Sequence, residues 1–248
     1  MVTELEIDHQ TQNDFLITNF DDPINAIIQS TYPYLMDQYN NVQFLQSRAI
    51  LASTIGIADQ INDYVLLLLP GDEREYPSSD SIDKSETIES QIFEGLTSEF
   101  LNSLRTSNLP NHKIKLKVGT PIMLLRNLDQ FEGLSNHEIE ARVMSENTIG
   151  NIIYIPRMSI SPSQSSRPFK LIQRQFPIMV SYDMTINKSQ GQSLESVGLY
   201  LTRPVFIVMV NFSRVKSKRG LKILIHDRDN KPLKTTTNVV FKEVFQNL

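Results

Sequence analysis

The feature that most constrains this chain is a short apolar run that ends in a dense cluster of polar residues. The run spans residues 176–182, and the cluster that follows is Met-Thr-Ile-Asn-Lys-Ser-Gln-Gly-Gln-Ser, from Met184 to Ser193. In α/β proteins, polar groups at the carboxyl end of a buried strand are typical of a ligand site. Hydroxyl, amide and ammonium groups suit phosphate oxygens, and a glycine lets a backbone N–H approach them. The pattern therefore predicts a site for polyphosphate or nucleic acid.

A second, strongly basic element follows the first. Its sequence is Phe-Ser-Arg-Val-Lys-Ser-Lys-Arg-Gly, from Phe212 to Gly220. No glycine in the chain is followed by lysine, so a Gly-x-x-x-x-Gly-Lys-Ser/Thr phosphate loop is excluded. No serine, histidine and aspartate pattern of a hydrolase is recognisable either. The two elements indicate contact with phosphate groups without supplying a nucleotide-hydrolase loop.

Composition narrows the class of protein. The 248 residues are 40% hydrophobic and 21% charged, as in ordinary globular domains. The absence of cysteine removes disulfides and thiolate metal sites and is typical of a reducing compartment. The four histidines lack metal-ligand spacing. The apolar runs are too short to cross a bilayer. We therefore expect a soluble intracellular protein that is not secreted, has no membrane partner and binds no metal by itself.

The net charge of −4 conceals a strong asymmetry along the chain. Residues 1–110 carry 18 acidic and 4 basic side chains, a balance of −14. Residues 111–248 carry 10 acidic and 20 basic side chains, a balance of +10. The basic half also contains both phosphate-type elements, which favours a polyanion partner, although chance distribution over solvated faces gives the same totals.

The pattern of apolar residues predicts an α/β protein. Asp21-Asp22-Pro23 is typical of a helix start. The short strand 49–53 and the helix 55–68 then form a strand–helix unit. Segments 114–117 and 121–126 are predicted to be strands that meet at a tight turn. We expect a loosely ordered lead-in over 1–20, a discontinuous α/β domain over 21–110 and 169–248, and a β-rich insertion over 111–168.

Several blocks of this sequence resemble the conserved motifs of superfamily 1 DNA helicases, and most of all the Pif (petite integration frequency) type carried by eukaryotic Helitron transposons. The fifth and sixth motifs are matched by segments 176–193, 197–200 and 213–217. Upstream blocks agree in family order, namely Arg-Ala-Ile-Leu-Ala-Ser-Thr (48–54), Ile-Asn-Asp-Tyr (61–64), Tyr-Pro-Ser-Ser-Asp-Ser (76–81), Phe-Leu-Asn-Ser-Leu (100–104) and Leu-Lys-Val-Gly-Thr-Pro-Ile-Met-Leu-Leu-Arg-Asn (116–127).

The resemblance implies a fold and an activity. The family binds ATP and magnesium between two RecA-like α/β domains and unwinds DNA in the 5′-to-3′ direction, with ATP hydrolysis, in DNA repair and recombination in the nucleus or an organelle. This chain resembles the second RecA-like domain with its inserted small β-barrel subdomain. The first RecA-like domain, with the phosphate loop and half of the cleft, has no counterpart here. We therefore expect a truncated helicase fragment that binds no cofactor independently and is inactive alone, unless a separate ATP-binding half is its partner.

The resemblance also assigns roles to individual residues. Thr185, Asn187, Lys188 and Ser189 would face single-stranded DNA or the strands of a fork. Gln190 and Gly191 would lie nearest the ATP phosphates. Arg214 corresponds to the arginine finger, whose guanidinium stabilises charge developing on the γ-phosphate. Segments 135–137 and 207–212 are shorter than in the family, which is typical of a truncated, mis-spliced or decaying transposon-derived product.

Two alternatives remain open at the level of sequence. One is a non-catalytic module that binds single-stranded nucleic acid through its basic half, or a transposon remnant with no role. The basic residues concerned are Lys113, Lys115, Lys117, Arg126, Arg142, Lys170, Arg174, Lys188, Lys216, Lys218, Arg219 and Lys222. Binding of this kind would weaken steeply with salt. The other alternative is a fragment of a superfamily 1 helicase of the RNA-virus type.

Overall fold

The computed structural model describes residues 2–5, 15–83, 96–104, 109–128, 138–144, 149–162, 169–189, 193–202, 205–206, 215–233 and 236–239. The chain divides into two compact units. Unit 1 comprises Met1–Pro70 and Ser181–Leu248, and unit 2 comprises Gly71–Val180. Among the described residues, no helix has the length and apolar character needed to cross a membrane.

The α-helices and β-strands are numbered in chain order. The helices are α1 (Pro23–Thr31), α2 (Leu35–Gln38), α3 (Val42–Gln46), α4 (Ile55–Leu68) and α5 (Ser98–Ser103). The strands of unit 1 are β1 (Val2–Leu5), β2 (Leu16–Ile17), β3 (Arg48–Ala52), β13 (Asp183–Thr185), β14 (Ser196–Leu201), β15 (Val205–Phe206), β16 (Leu221–Ile225) and β17 (Thr236–Val239). The strands of unit 2 are β4 (Arg74–Pro77), β5 (Ser79–Ile82), β6 (Lys113–Leu116), β7 (Ile122–Leu124), β8 (Ile139–Arg142), β9 (Ile152–Ile155), β10 (Met158–Ile160), β11 (Leu171–Gln175) and β12 (Ile178–Val180).

Unit 1 is built around a five-stranded parallel sheet in the order β13-β3-β14-β16-β2. The central strands are almost continuously apolar and buried, as expected for parallel strands covered by helices. A smaller sheet joins β1, β17 and β15. Because β2 pairs with β16, part of the segment expected to be a loose lead-in is an edge strand of the main sheet.

Helices α1 and α4 begin where the sequence predicts. The Asp22 carboxylate accepts hydrogen bonds from the backbone N–H groups of Ile24 (2.9 Å) and Asn25 (3.2 Å), which caps α1. The hydroxyl of Thr54 accepts a weaker bond from the Ile57 N–H at 3.4 Å and caps α4. The predicted strand 49–53 and helix 55–68 are therefore confirmed as β3 and α4.

Gly198 lets α1 lie directly on the sheet. A Cβ atom at this position of β14 would lie 2.1 Å from the Thr31 hydroxyl oxygen and 3.1 Å from side-chain carbons of Ile27. Real side chains never approach so closely, so the contact between α1 and β14 depends on the missing methyl group.

Unit 2 consists of antiparallel strand pairs. β4 pairs with β6, β7 with β12, β8 with β9, and β11 lies between β5 and β10. One apolar core gathers Ile114, Ile155, Phe176 and Ile178, and a second gathers Leu101, Leu109, Ile160, Phe169 and Leu171.

Two features of unit 2 differ from the sequence expectation. Segments 114–117 and 121–126 do form strands joined by a tight turn at Gly119, but each pairs with another strand instead of its neighbour. Unit 2 is also wider than the expected insertion over 111–168. Pairing of β4 and β5 with later strands extends it on one side, and pairing of β11 and β12 with earlier strands extends it on the other.

Candidate nucleic-acid interface

The carboxyl ends of the parallel strands of unit 1 lie along one edge of the sheet. Thr185 of β13 is level with Ala52 of β3, and Ala52 is level with Tyr200 of β14. The residues just beyond these positions are polar at Ser53, Thr54 and Thr202. The N-terminus of α4, with its exposed backbone N–H groups, starts at the same edge. Such an edge is where α/β sheets bind ligands, and amide donors at a helix N-terminus favour anions.

The polar cluster predicted from sequence begins at this edge. Thr185 is the last residue of β13 and is half-buried. A 3₁₀ turn over Ile186–Ser189 follows and carries the backbone of Asn187, Lys188 and Ser189. The structure describes no side chain for Asn187 or Ser189. The apolar run 176–182 is not the strand that ends at this site, because it supplies β12 (Ile178–Val180) to unit 2, and the strand at the edge, β13, begins only at Asp183. The polar cluster does follow a strand of the parallel sheet, whereas contact of its residues with DNA remains a prediction.

The charge of Asp59 on α4 acts on Lys188. Partial burial lowers the pKa of the Lys188 ammonium, and the negative charge of Asp59 on α4 opposes that shift. The same Asp59 charge adds to burial in raising the pKa of Asp183 on β13. Asp59 therefore acts electrostatically on both the strand and the turn that follows it.

The side chain of Asn62 joins α4 to β13 by two hydrogen bonds. Its amide Nδ2 donates to the backbone carbonyl oxygen of Asp183 at 3.0 Å, and its Oδ1 accepts from the Asp183 N–H at 2.9 Å. Asn62 is only 6% exposed. The Asp183 carboxyl group is fully buried, and neither of its oxygens meets a hydrogen-bond donor within the part of the chain that the structure describes. Burial therefore raises the pKa of Asp183 well above its usual range.

Tyr32 supports β13 from its amino-terminal side. The Tyr32 hydroxyl donates to the backbone carbonyl of Tyr182 at 2.8 Å and lies 3.2 Å from the carbonyl oxygen of Arg48 at the start of β3. The rings of Tyr32 and Tyr182 pack edge to face with centroids 5.9 Å apart. Tyr32 therefore holds the residue before β13, and Asn62 holds the first residue of β13, Asp183.

The basic element 212–220 contacts the chain just after the polar cluster 184–193. Leu194 and Val215 form a parallel bridge, and the Lys216 N–H donates to the Leu194 carbonyl at 2.9 Å. Leu194 follows Gln190 and Gly191 closely in sequence, and Val215 directly follows Arg214. The residues assigned to the nucleotide, Gln190, Gly191 and Arg214, themselves lie outside the described residues, as do the shortened segments 135–137 and 207–212.

Several of the basic residues that a non-catalytic nucleic-acid-binding module would use are paired with carboxylates. In unit 2, Lys113 and Lys115 on β6 lie 3.6 to 3.9 Å from Glu73 and Glu75, because β6 pairs with β4. Lys170 lies 3.1 Å from Asp83 in the same unit. In unit 1, Lys216 and Glu195 form an exposed pair at 3.9 Å. The charge separation along the sequence is therefore partly neutralised in space.

Unit 2 also brings together a serine, a histidine and an aspartate. The Ser78 hydroxyl lies 2.7 Å from Nδ1 of His112, and an Asp80 carboxylate oxygen lies 3.1 Å from the same nitrogen. A hydrolase triad needs the serine and the carboxylate on opposite ring nitrogens, so this cluster cannot relay a proton in that way. It cross-links β5 to the residue before β6. Among the described residues, no group of three acidic, histidine or cysteine side chains could hold a metal ion.

Sequence reasoning missed Asn62 and Asp59. Asn62 lies in the matched block 61–64, but the motif resemblance assigns no role to it. The helical spacing of residues 58, 62 and 65 could have identified Asn62, because it places all three on the buried face of α4. A buried amide side chain must find hydrogen-bond partners. Its partner could not be identified, because Asp183 is 121 positions away in the sequence.

Comparison with known proteins supports one family. The family model described as DNA helicase Pif1, 2B domain, matches residues 99–137, which lie within unit 2. The ATP-dependent DNA helicase PIF1 of Xenopus laevis is 29% identical over 154 residues, which is 56% of this chain and 24% of the relative. This chain therefore spans about a quarter of the length of that curated relative.

Solved structures show the same α/β fold. A crystal structure of Pif1 helicase from Candida albicans matches with a TM-score of 0.53 and 18% identity, over 91% of this chain and 56% of that chain. Pif1 helicase from Bacteroides in complex with ADP-AlF3 and ssDNA matches with a TM-score of 0.51 and 17% identity, over 93% of this chain and 53% of that chain. Together, these findings support similarity to the Pif1 DNA helicases, in sequence over part of the chain and in fold over most of it.

Proposed function

We propose that this chain is the second RecA-like domain, with its inserted subdomain, of a Pif-type ATP-dependent DNA helicase. In this proposal Thr185 and the following turn bind the backbone of single-stranded DNA, while Gln190, Gly191 and Arg214 serve the nucleotide. Unit 1 corresponds to the RecA-like domain, and the β-rich unit 2 contains the small barrel. ATP and magnesium would supply the free energy that drives movement along DNA, and a separate domain would supply the phosphate loop.

One observation carries this proposal. The bridge between Leu194 and Val215 joins the residues that flank the two phosphate-type elements. The segment before Leu194 begins at the carboxyl edge of the sheet, at Thr185. A single short segment therefore starts at the candidate DNA site and ends beside the residue that follows Arg214. That arrangement supports a coupling between DNA contact and nucleotide contact.

Binding of single-stranded DNA tests the first half of the proposal. We expect the purified 248-residue protein to bind a fluorescent oligothymidylate, with an affinity that falls as salt rises, since phosphate contacts release counterions. Substituting Lys188→Ala should weaken binding about fivefold to tenfold, in line with the loss of one charged contact. Fluorescence anisotropy at several salt concentrations measures both quantities.

Arg142→Ala is the matched control for Lys188→Ala. Arg142 is an exposed cation on β8 of unit 2. If the whole basic half binds nucleic acid without chemistry, Arg142→Ala and Lys188→Ala should weaken binding equally. If the edge of unit 1 is the site, only Lys188→Ala should do so. Equal losses would favour the non-catalytic module, and absence of binding by the unmodified protein would favour a remnant.

Measurement of ATP turnover tests the part of the proposal that concerns the nucleotide. We expect no phosphate release by this chain alone, with or without single-stranded DNA, because no Gly-Lys dipeptide exists in it to form a phosphate loop. Addition of a separate ATP-binding RecA-like half should be needed for activity that depends on Arg214, since the lysine and the finger come from different domains. DNA-stimulated ATP turnover by the purified chain would contradict this part of the proposal.

The finer features of the proposal follow from the motif resemblance. We propose a Helitron-type origin, 5′-to-3′ polarity in the intact motor, a role in DNA repair or recombination, and a nuclear or organellar location. Coding sequence for a phosphate loop next to that of this chain would support the intact-motor origin, and its absence would favour a decaying copy.

A further inference from the structure

The strand that leads to the candidate DNA site lies at the edge of its sheet. β13 is the first strand in the order β13-β3-β14-β16-β2, so among the described strands only β3 pairs with it. An edge strand is held less firmly than an internal one, because half of its backbone groups lack strand partners. β13 is also only three residues long. Something other than strand pairing must hold Thr185 in place.

Backbone alternation shows which groups of β13 point away from β3. The Ile50 N–H of β3 donates to the Tyr182 carbonyl at 3.0 Å. Successive residues of a strand direct their N–H and C=O groups to opposite sides, so those of Asp183 point to the open edge. These are the two groups that Asn62 binds, at 2.9 and 3.0 Å.

We propose that Asn62 is a positioning residue, whose side-chain amide closes the open edge of β13 as a residue of a further strand would, and thereby fixes Thr185 and the turn over Ile186–Ser189 for contact with single-stranded DNA. This inference rests on the DNA site under Proposed function. A side-chain amide presents its oxygen and one of its N–H donors on the same side, as the N–H and C=O groups of one residue in a neighbouring strand do. Burial of Asn62 removes competing water and strengthens both bonds.

The position of Asn62 on a long helix makes the clamp rigid. α4 runs over 14 residues, and Ile61, Val65 and Leu66 anchor it in the core. The clamp acts only two residues before Thr185. A shift of β13 along the edge would therefore carry Thr185 and Lys188 away from the N-terminus of α4.

Two variants separate the donor from the acceptor. Asn62→Leu removes both hydrogen bonds and keeps the number and branching of the side-chain heavy atoms. Asn62→Asp keeps an acceptor for the Asp183 N–H but, when ionised, cannot donate to the Asp183 carbonyl. Gln60→Leu is the matched control, because Gln60 is an exposed amide on the same helix. Circular dichroism establishes that each variant is folded.

Amide hydrogen exchange tests the clamp without DNA. We expect Asn62→Leu to raise exchange across β13 by tenfold or more while β14 keeps its protection, and we expect Gln60→Leu to change neither. Unchanged exchange across β13 in Asn62→Leu would overturn the clamp. This readout is independent of DNA, so it stands even if the unmodified protein fails to bind DNA and the proposed function is wrong.

DNA affinity tests the positioning role. We expect Asn62→Leu to weaken oligothymidylate binding roughly tenfold, as the loss of two buried hydrogen bonds would produce. Asn62→Asp should be weak at about pH 8 and recover towards about pH 5, where a protonated carboxyl can donate again. Faster exchange across β13 with unchanged DNA affinity would overturn the positioning role. A pH response of Asn62→Leu equal to that of Asn62→Asp would overturn it as well.

Discussion

The two compact units differ in how they satisfy buried polar groups. In unit 2, Gln175 is fully buried, and its amide donates to the carbonyl oxygens of Tyr76 (2.7 Å) and His112 (3.0 Å) and accepts from the Phe176 N–H. In the described part of unit 1, by contrast, Thr31, Ser53, Tyr182 and Asp183 have buried side-chain oxygens without a hydrogen-bond partner. Both units use buried polar groups to join their elements, but among the described residues most of the unpaired buried side-chain oxygens lie in unit 1, and unit 2 contributes only Gln173 Oε1.

The difference agrees with the proposal that the DNA and nucleotide contacts belong to unit 1. Natural proteins pair nearly all buried polar groups, and departures concentrate at functional sites. Tyr182 and Asp183 lie directly before the polar turn, and Ser53 lies at the carboxyl end of β3 beside it. Three of the four residues of unit 1 with unpaired buried oxygens, Ser53, Tyr182 and Asp183, therefore lie in or next to β3 and β13, the strands that lead to the candidate interface.

The largest expected effect concerns the packing of α1 on the sheet of unit 1. Gly198→Ala places a Cβ 2.1 Å from the Thr31 hydroxyl oxygen, so either this side chain or the helix α1 that carries it must shift. We expect a loss of about 3 kcal/mol or more in the free energy of unfolding, measured by denaturant titration, as for severe overpacking. Gly56→Ala is the control, because no atom lies within 4 Å of its added Cβ and alanine favours a helix.

A double variant identifies the atom responsible. Thr31→Ala removes the hydroxyl that the new methyl group meets, so Gly198→Ala with Thr31→Ala should regain part of the lost stability. If the double variant is as unstable as the sum of the single variants, contacts other than Thr31 determine the packing.

The next effect tests whether the two units are separate in stability. Ile155→Ala removes a fully buried side chain from the core of unit 2 and should cost about 2 to 5 kcal/mol. Hydrogen exchange should rise in β9 and β12 of unit 2 while β3 and β14 of unit 1 keep their protection. Equal loss of protection in both units would show that they unfold as one cooperative body.

A smaller, pH-dependent effect concerns the unpaired carboxyl group. Burial raises the pKa of Asp183, so the folded protein retains this proton at pH values where the unfolded chain has released it. Stability from the protonated group is full below the usual carboxyl pKa of about 4 and is lost as pH rises through the folded-state pKa.

The variant Asp183→Asn isolates this titration. An amide of the same size cannot ionise, so the melting temperature of the unmodified protein should fall relative to that of Asp183→Asn as pH rises above about 4. Thermal unfolding of both proteins over a pH series measures the difference. A difference that is constant with pH, or that changes in the opposite direction, would mean that the Asp183 carboxylate is stabilised by a charged or hydrogen-bonded partner.

The smallest effect belongs to the ion pairs of unit 2. Lys115→Ala removes exposed contacts of 3.6 and 3.9 Å to Glu73 and Glu75. Such pairs contribute little in water, so the free energy of unfolding should change by less than about 1 kcal/mol, with little dependence on salt. A larger loss in the same denaturant titration would show that these ion pairs contribute substantially to the stability of unit 2.

Local patterns in the sequence determined many of the elements. The cap at Asp22, the start of α4 at Ile55, the buried run of β3 and a polar segment after a strand could all be predicted, because capping, helical phase and strand composition act over a few neighbouring residues. The α/β class followed from the same short-range rules, but these rules did not show that the apolar run 176–182 divides between β12 of unit 2 and the residues before β13 of unit 1.

Only the tertiary structure decided which distant groups meet. It paired Asn62 with Asp183, joined Leu194 to Val215, separated the strands on either side of Gly119, and set Lys115 opposite Glu73 and Glu75. These contacts join residues far apart in sequence or choose among several strands that could pair equally well. Strand pairing and side-chain burial are settled by packing of the whole chain, which no local pattern encodes.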